Sequence, residues 1–346
     1  MSVKNKFSHL GLSIVFYLVF SNILATIVMF IGMFIYAFFA TFKASQAALA
    51  SGIAINPQIM QSAIIEFRNN ATLTNLLTML AGYFIAIPCT ILVLNSPRFR
   101  DIPALTGFKF STPYEKSMQR SLKLSELLSF ILFMFPMGII GSLIGSGLAS
   151  VLSVLSGVTM DDYLSEMLVN MPLPAVLLLS VILAPIFEEI LFRYAVIGYS
   201  RRYGEWNAII ISALIFGLIH TNIFQFFYAF FLGIMLGYVY IYTRKLIYTI
   251  IMHVTFNFFG AFVPILINPN LSEVTTGNII YSSIQYIVAF VGLILLIRFV
   301  RKGNILRTSE SAPIQENISK DALLNPGMII LFIVCIALTA FIMVFA

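Results

Sequence analysis

The stretch Leu178-Leu179-Ser180-Val181-Ile182-Leu183-Ala184-Pro185-Ile186-Phe187-Glu188-Glu189-Ile190-Leu191-Phe192-Arg193 decides how the chain is read. Ten residues without a charge lead into two adjacent carboxylates, and apolar residues resume at once. The apolar run around it, 173–195, has the ~20 residues that cross a hydrocarbon core as a helix. The rest of the chain has the same character. Hydrophobic residues make up 60% of 346, charged residues 10%, and mean hydropathy is +0.98. Globular domains run at ~45–50% apolar and ~25% charged, so an ordinary soluble enzyme is excluded. Phe (33) and Tyr (15) are abundant, as on a lipid-facing surface.

Working outward, apolar runs stand near 10–40, 73–95, 126–150, 173–195, 207–220, 223–243, 246–268, 279–300 and 327–346. The expected fold is all-α: a polytopic transmembrane bundle of about eight or nine spans, with 207–220 short. The first run, about 30 residues, exceeds the ~7–15 of a signal peptide and is read as a span. With the N-terminus in the cytoplasm, the inner segments hold Lys4, Lys6, Arg98, Arg100, Lys109, Lys116, Arg120, Lys123, Arg201, Arg202, Arg244, Lys245, Arg298, Arg301, Lys302, Arg307 and Lys320. The outer segments hold only Lys43 and Arg68, beside Asp161, Asp162, Glu166 and Glu273. This is the positive-inside pattern. The net charge of +6 is spent on orientation and does not call for nucleic acid. Cys89 and Cys335 lie in apolar runs and imply neither a disulfide framework nor a thiolate metal cluster.

Residues 1–125 are read as a two-span extension, with an outer interfacial helix after Asn56-Pro57 and a basic cytoplasmic loop broken by Pro97, Pro103 and Pro113. Residues 126–300 form the core, and 301–346 a cytoplasmic linker and a last span. Gly141-x-x-x-Gly145 and Gly233-x-x-x-Gly237 allow helices to approach closely, as packing inside the bundle.

Intramembrane carboxylates and histidines are costly and point to function. Glu188, Glu189, His220 and His253 stand in apolar helices, whereas His9 sits at a span entrance. Glu189 and Arg193 are four residues apart and can pair, while Glu188 is rotated by about 100° and meets other surroundings. Counted at 1.5 Å per residue from the cytoplasmic ends, Glu188 lies ~10–15 Å deep, His253 ~10 Å and His220 ~20 Å. A fifth helix broken at Thr221-Asn222 keeps His220 at depth, and irregular backbone there implies a cavity. His253 and Asn257 share one face and suit a developing oxyanion, while Glu188 and His220 suit a water nucleophile. Taken singly, each residue has a plainer reading: a packing histidine, a snorkelling Arg193, an Asn257 that glues helices, and Phe216 in the core. Their conjunction on three neighbouring helices outweighs those readings.

Glu188-Glu189-x-x-x-Arg193, Phe216-x-x-x-His220 and His253-x-x-x-Asn257 resemble the three motifs of the CPBP (Abi, CAAX prenyl protease-like) family. The resemblance covers 173–265, roughly a quarter of the chain, with no motif position substituted. It implies an intramembrane endopeptidase with a conical cavity opening to cytoplasm and lipid. Glu188 and His220 would activate water, His253 and Asn257 would hold the oxyanion, and Glu189, Arg193 and Phe216 would support them. Glu188, His220 and His253 could make the His₂Glu set of a zinc site, but the resemblance favours a metal-free, glutamate-type mechanism with no cofactor. The expected partners are membrane lipids and a membrane-associated peptide or protein. The composition suggests a bacterial plasma membrane. Two rivals stay open: an ion-coupled secondary transporter, whose paired repeats are not seen, and a non-catalytic peptide-binding immunity or scaffold protein.

Overall fold

A computed structural model describes residues 2–52, 56–96, 119–269, 273–303, 306 and 319–345. Arg98, Arg100, Lys109, Lys116 and Arg307, the three loop prolines and most of the C-terminal linker lie outside the described residues. The described chain is helical, without strands: α1 Val3–Ser51, α2 Ile59–Asn69, α3 Ala71–Leu94, α4 Leu124–Ser156, α5 Tyr163–Val169, α6 Leu173–Ser200, α7 Glu205–Leu218, α8 Ile223–Thr243, α9 Leu246–Ile267, α10 Thr276–Arg301, α11 Ser319–Leu323 and α12 Pro326–Phe345. Eight of these are long and apolar enough to cross a membrane, and α7, at 14 residues, is not. The protein is an integral multi-pass membrane protein with an all-α bundle.

Two sequence expectations change. The first helix does not stop near residue 40. The Ala-rich segment Ala44–Ala50 carries it on to Gly52, whose φ of 69° closes it. Its 49 residues span about 73 Å, more than twice a ~30 Å hydrocarbon core. The second change concerns α2, whose apolar face is divided: Met60 is exposed while the side toward α1 is covered. Ala63 and Phe67 are buried, and Phe67 meets Tyr36 of α1 at 5.8 Å between ring centres. An amphipathic face fits a neighbouring apolar helix as well as it fits lipid, and here α1 is long enough to receive it.

A single apolar core joins the outer helices to the middle of the chain. Phe7, Leu10 and Ile14 of α1 and Ile87 and Ile91 of α3 pack with Leu191, Phe192 and Phe216, and with Met328, Leu331 and Cys335 of α12. The His9 ring, 3.1 Å from the Val93 carbonyl, links α1 to α3 and is not a free interfacial group. Cys89 and Cys335 are free thiols.

Helices α7 and α8 form an antiparallel hairpin. Its base is buried: Arg244 pairs with Glu205 at 2.6 Å, and Arg201 reaches the same carboxylate oxygen at 3.6 Å. Arg201 and Arg244 are therefore not loop cations free to meet headgroups, as the orientation pattern had treated them. Its tip breaks after Leu218, with Thr221 at φ 47° and the Asn222 side chain accepting from the Phe224 amide at 2.9 Å. A β-branched residue at positive φ is uncommon and persists only where surrounding contacts hold it.

Small residues set how closely this hairpin is approached. A Cβ on Gly141 of α4 would collide with the Tyr228 backbone of α8, and one on Gly233 would stand 2.8 Å from Ala213 Cα of α7. Both Gly-x-x-x-Gly pairs thus serve packing inside the bundle. Gly147, on the same helix as Gly141, faces open space. We expect Gly141→Ala to destabilise by about 1–3 kcal/mol and Gly147→Ala to stabilise by up to about 1 kcal/mol, since its Cβ meets open space within a helix. Thermal unfolding of the two variants in detergent checks this.

Candidate active site

Three prolines shape the helices around the site. Pro88, Pro185 and Pro264 each follow by two residues a π-helical segment: Gly82–Ala86, Val176–Leu183 and Phe258–Phe262. A proline ring clashes with the carbonyl four residues back, and each of those carbonyls lies in the widened turn. The shift also strands a carbonyl. Ala184 N–H bonds to the Leu179 oxygen, five residues back, so Ser180 O would take its bond from Pro185, which has no N–H. Asn257 fills the gap, its Nδ2 donating to Ser180 O at 2.9 Å. In α9 Val263 N–H bonds to Phe258 O, Pro264 cannot serve Phe259 O, and Tyr281 and Gln285 of α10 donate to it instead. A fourth π segment, Ile190–Ile197, carries Arg193 and has no proline.

The first motif divides as its spacing predicts. Arg193 Nε lies 3.2 Å from Glu189 Oε2, and both side chains are fully buried. The two groups are close as ions, yet not aligned as a hydrogen bond. The guanidinium faces the Phe216 ring at 4.6 Å, a cation–π contact in a dry setting. Glu188 is 21% exposed and lines a cavity.

Glu189 does more than pair with Arg193. Its Oε1 is 2.9 Å from His253 Nδ1, so the other ring nitrogen of His253, Nε2, stands 3.7 Å from Glu188 Oε2. Sequence spacing within one helix could not show this, because it depends on how α9 is rotated against α6. His220 is fixed in the same manner by the backbone. Its Nδ1 lies 2.6 Å from Phe216 O, and a carbonyl only accepts, so Nδ1 carries the hydrogen and Nε2 keeps its lone pair. Phe216, placed in the core by sequence, holds both rings edge to face, His220 at 5.0 Å and His253 at 5.8 Å.

Glu188, His220, His253 and Asn257 line one cavity of about 600 Å³. His220, two residues past the end of α7 at Leu218, lines that cavity. Ser180, Ala184 and Glu188, spaced by four, share its wall. That spacing was the available signal for Ser180, which sequence reasoning missed. Tyr83 of α3, stacked on Phe187 at 5.3 Å, also lines the cavity and had no sequence signal. The cavity extends from Glu188 toward the end of the bundle that holds α5, whose Asp162 and Ser165 are part of its wall.

Among the described residues no three His, Cys, Asp or Glu converge on one point where a metal ion would sit.

Compared with known proteins, no curated protein and no solved structure matches the chain. A family model does match, described as type II CAAX prenyl endopeptidase Rce1-like, over residues 170–259. That segment holds all three motifs and every residue of the Glu–Arg–His–Asn arrangement above, and over it the chain matches the CPBP, CAAX protease-like family.

Proposed function

We propose that the protein is an intramembrane endopeptidase that hydrolyses a peptide bond of a membrane-associated or lipidated peptide or protein, without a metal. One observation carries the reading: the polar groups of three apolar helices, Glu188, His220, His253 and Asn257, face a single cavity. Membrane insertion of such groups is expensive, and gathering them round one space serves chemistry better than packing.

The geometry supports a division of labour. Glu188 takes a proton from water, with the His220 Nε2 lone pair orienting that water, and the water oxygen attacks the carbonyl carbon. The oxyanion formed accepts hydrogen bonds from the second N–H of Asn257 and from His253 Nε2 when both ring nitrogens carry hydrogen. Collapse breaks the C–N bond, and the proton held by Glu188 passes to the leaving amine. Glu189 keeps His253 turned toward the cavity, and Arg193 balances Glu189. The Ser180 carbonyl fixes the Asn257 amide, so its free N–H has a set direction.

The protein in lipid nanodiscs, given fluorogenic hydrophobic peptides, tests this. Cleavage that persists with a strong chelator present supports the reading; cleavage that the chelator stops and zinc restores removes the metal-free part. For Asn257→Ala we expect kcat to fall by about 10²–10³ with KM nearly unchanged, because its bond strengthens only as the oxyanion forms. The positive-inside pattern puts the basic N-terminus in the cytoplasm and the cavity's α5 end on the far side.

A further inference from the structure

Glu188 is not the only carboxylate in the cavity wall. Asp162, at the start of α5, lines the same cavity. Its two oxygens accept only from neutral groups: Oδ1 from the Asn222 amide at 2.9 Å and Oδ2 from the Ser165 hydroxyl at 2.6 Å. Among the described residues no lysine or arginine pairs with Asp162, and none lines the cavity. Tyr228, whose hydroxyl accepts from Gln225 at 2.9 Å, lines the same cavity as the two acids. The cavity therefore has an acid at its catalytic floor, a second acid toward its α5 end, and, among the described residues, no lysine or arginine in its lining.

An ionised carboxylate in a partly desolvated, mostly apolar wall attracts a cation far more strongly than one in water. The bonds from Asn222 and Ser165 fix where its oxygens point without neutralising the charge. We propose that Asp162 is a specificity-determining residue that binds a Lys or Arg side chain of the substrate. The cleaved peptide then carries a basic residue on the part of its chain that extends toward α5, with the scissile carbonyl at Glu188. This rests on the peptidase reading above and adds the substrate's charge to it.

The competing role for Asp162 is a latch. Through Asn222 it ties α5 to the tip of the hairpin, two residues from His220. Asp162→Asn separates the two roles, since the amide keeps an acceptor oxygen for Asn222, can donate to the Ser165 hydroxyl where Oδ2 accepted from it, and loses the charge. The probes are sets of fluorogenic hydrophobic peptides identical except for Lys, norleucine or Glu at one position, given to the full chain in nanodiscs. For the wild type we expect kcat/KM to favour the Lys peptide about tenfold over norleucine, through KM. In Asp162→Asn that ratio falls to about one, and in Asp162→Lys it inverts in favour of the Glu peptide. No preference for Lys at any position overturns the proposal. So does an Asp162→Asn variant that slows Lys and norleucine peptides equally, which is the behaviour of a latch. Fluorescence anisotropy of the same peptides, read without hydrolysis, keeps the two claims apart. Tighter binding of the Lys peptide with no cleavage sinks the peptidase reading and upholds Asp162; equal binding sinks the role of Asp162 alone.

Discussion

Replacing Glu188 with glutamine is expected to lower peptide cleavage by at least about 10³-fold while the protein still inserts, folds and binds peptide. The substitution keeps the size and one acceptor oxygen and removes the base. General-base catalysis alone contributes roughly 10²–10⁴-fold. Glu188 has no partner that can replace it: Glu189 is fully buried, hydrogen-bonded to His253 and ion-paired with Arg193, and does not line the cavity. The loss should appear in kcat, with KM little changed, because the substrate is held by the apolar walls and by groups distant from the carboxylate. Single-turnover cleavage of a fluorogenic peptide measures it. A Glu188→Gln variant with near wild-type kcat would remove Glu188 from the mechanism.

The largest effect on stability is expected at Arg193. Arg193→Met leaves Glu189 ionised in a fully buried position, held by His253 and Thr249 but without its guanidinium. Breaking a buried pair in this way costs about 3–5 kcal/mol. The loss of the contact with the Phe216 ring at 4.6 Å adds to it. The apparent melting temperature in detergent should fall by on the order of 10 °C. Adding Glu189→Gln should restore most of that stability, since removing both charges of a buried pair is often neutral. Activity should not return, because His253 has lost the carboxylate that turns it toward the cavity. Stability recovered with activity still absent is the signature of a pair kept for orientation; recovery of both would show that Glu189 has no part in the site.

Much of this architecture was legible in the sequence, for physical reasons that also mark where legibility ended. Long apolar runs must become membrane helices because the backbone has no other way to satisfy its hydrogen bonds in lipid. The brevity of α7 followed from the polar Thr221-Asn222 after a short run. Spacing by four showed that Glu189 can meet Arg193 and that His253 and Asn257 share a face, since both statements concern one helix. Contacts between helices were not legible. The Glu189–His253 bond depends on the rotation of α9 against α6, and the place of Tyr83 in the cavity wall on where α3 docks. Counting charges by loop missed Glu205, which buries Arg201 and Arg244 in the hairpin base. The hydrophobic face of α2 could be read, but not whether lipid or α1 would cover it. Prolines were read as interruptions of a loop, whereas Pro185 and Pro264 act inside spans. Each strands a carbonyl that a side chain from another helix must fill, and at Ser180 that side chain is Asn257.

The account stands or falls on whether Glu188 and its neighbours add water to a peptide bond inside the membrane. Membranes holding the wild type or Glu188→Ala at equal amounts, incubated in ¹⁸O-water, answer this when their peptides are compared by mass spectrometry. New C-termini that carry ¹⁸O in the wild type and are missing from Glu188→Ala are the predicted result. The same set of peptides in both membranes, at the same abundance, would contradict it.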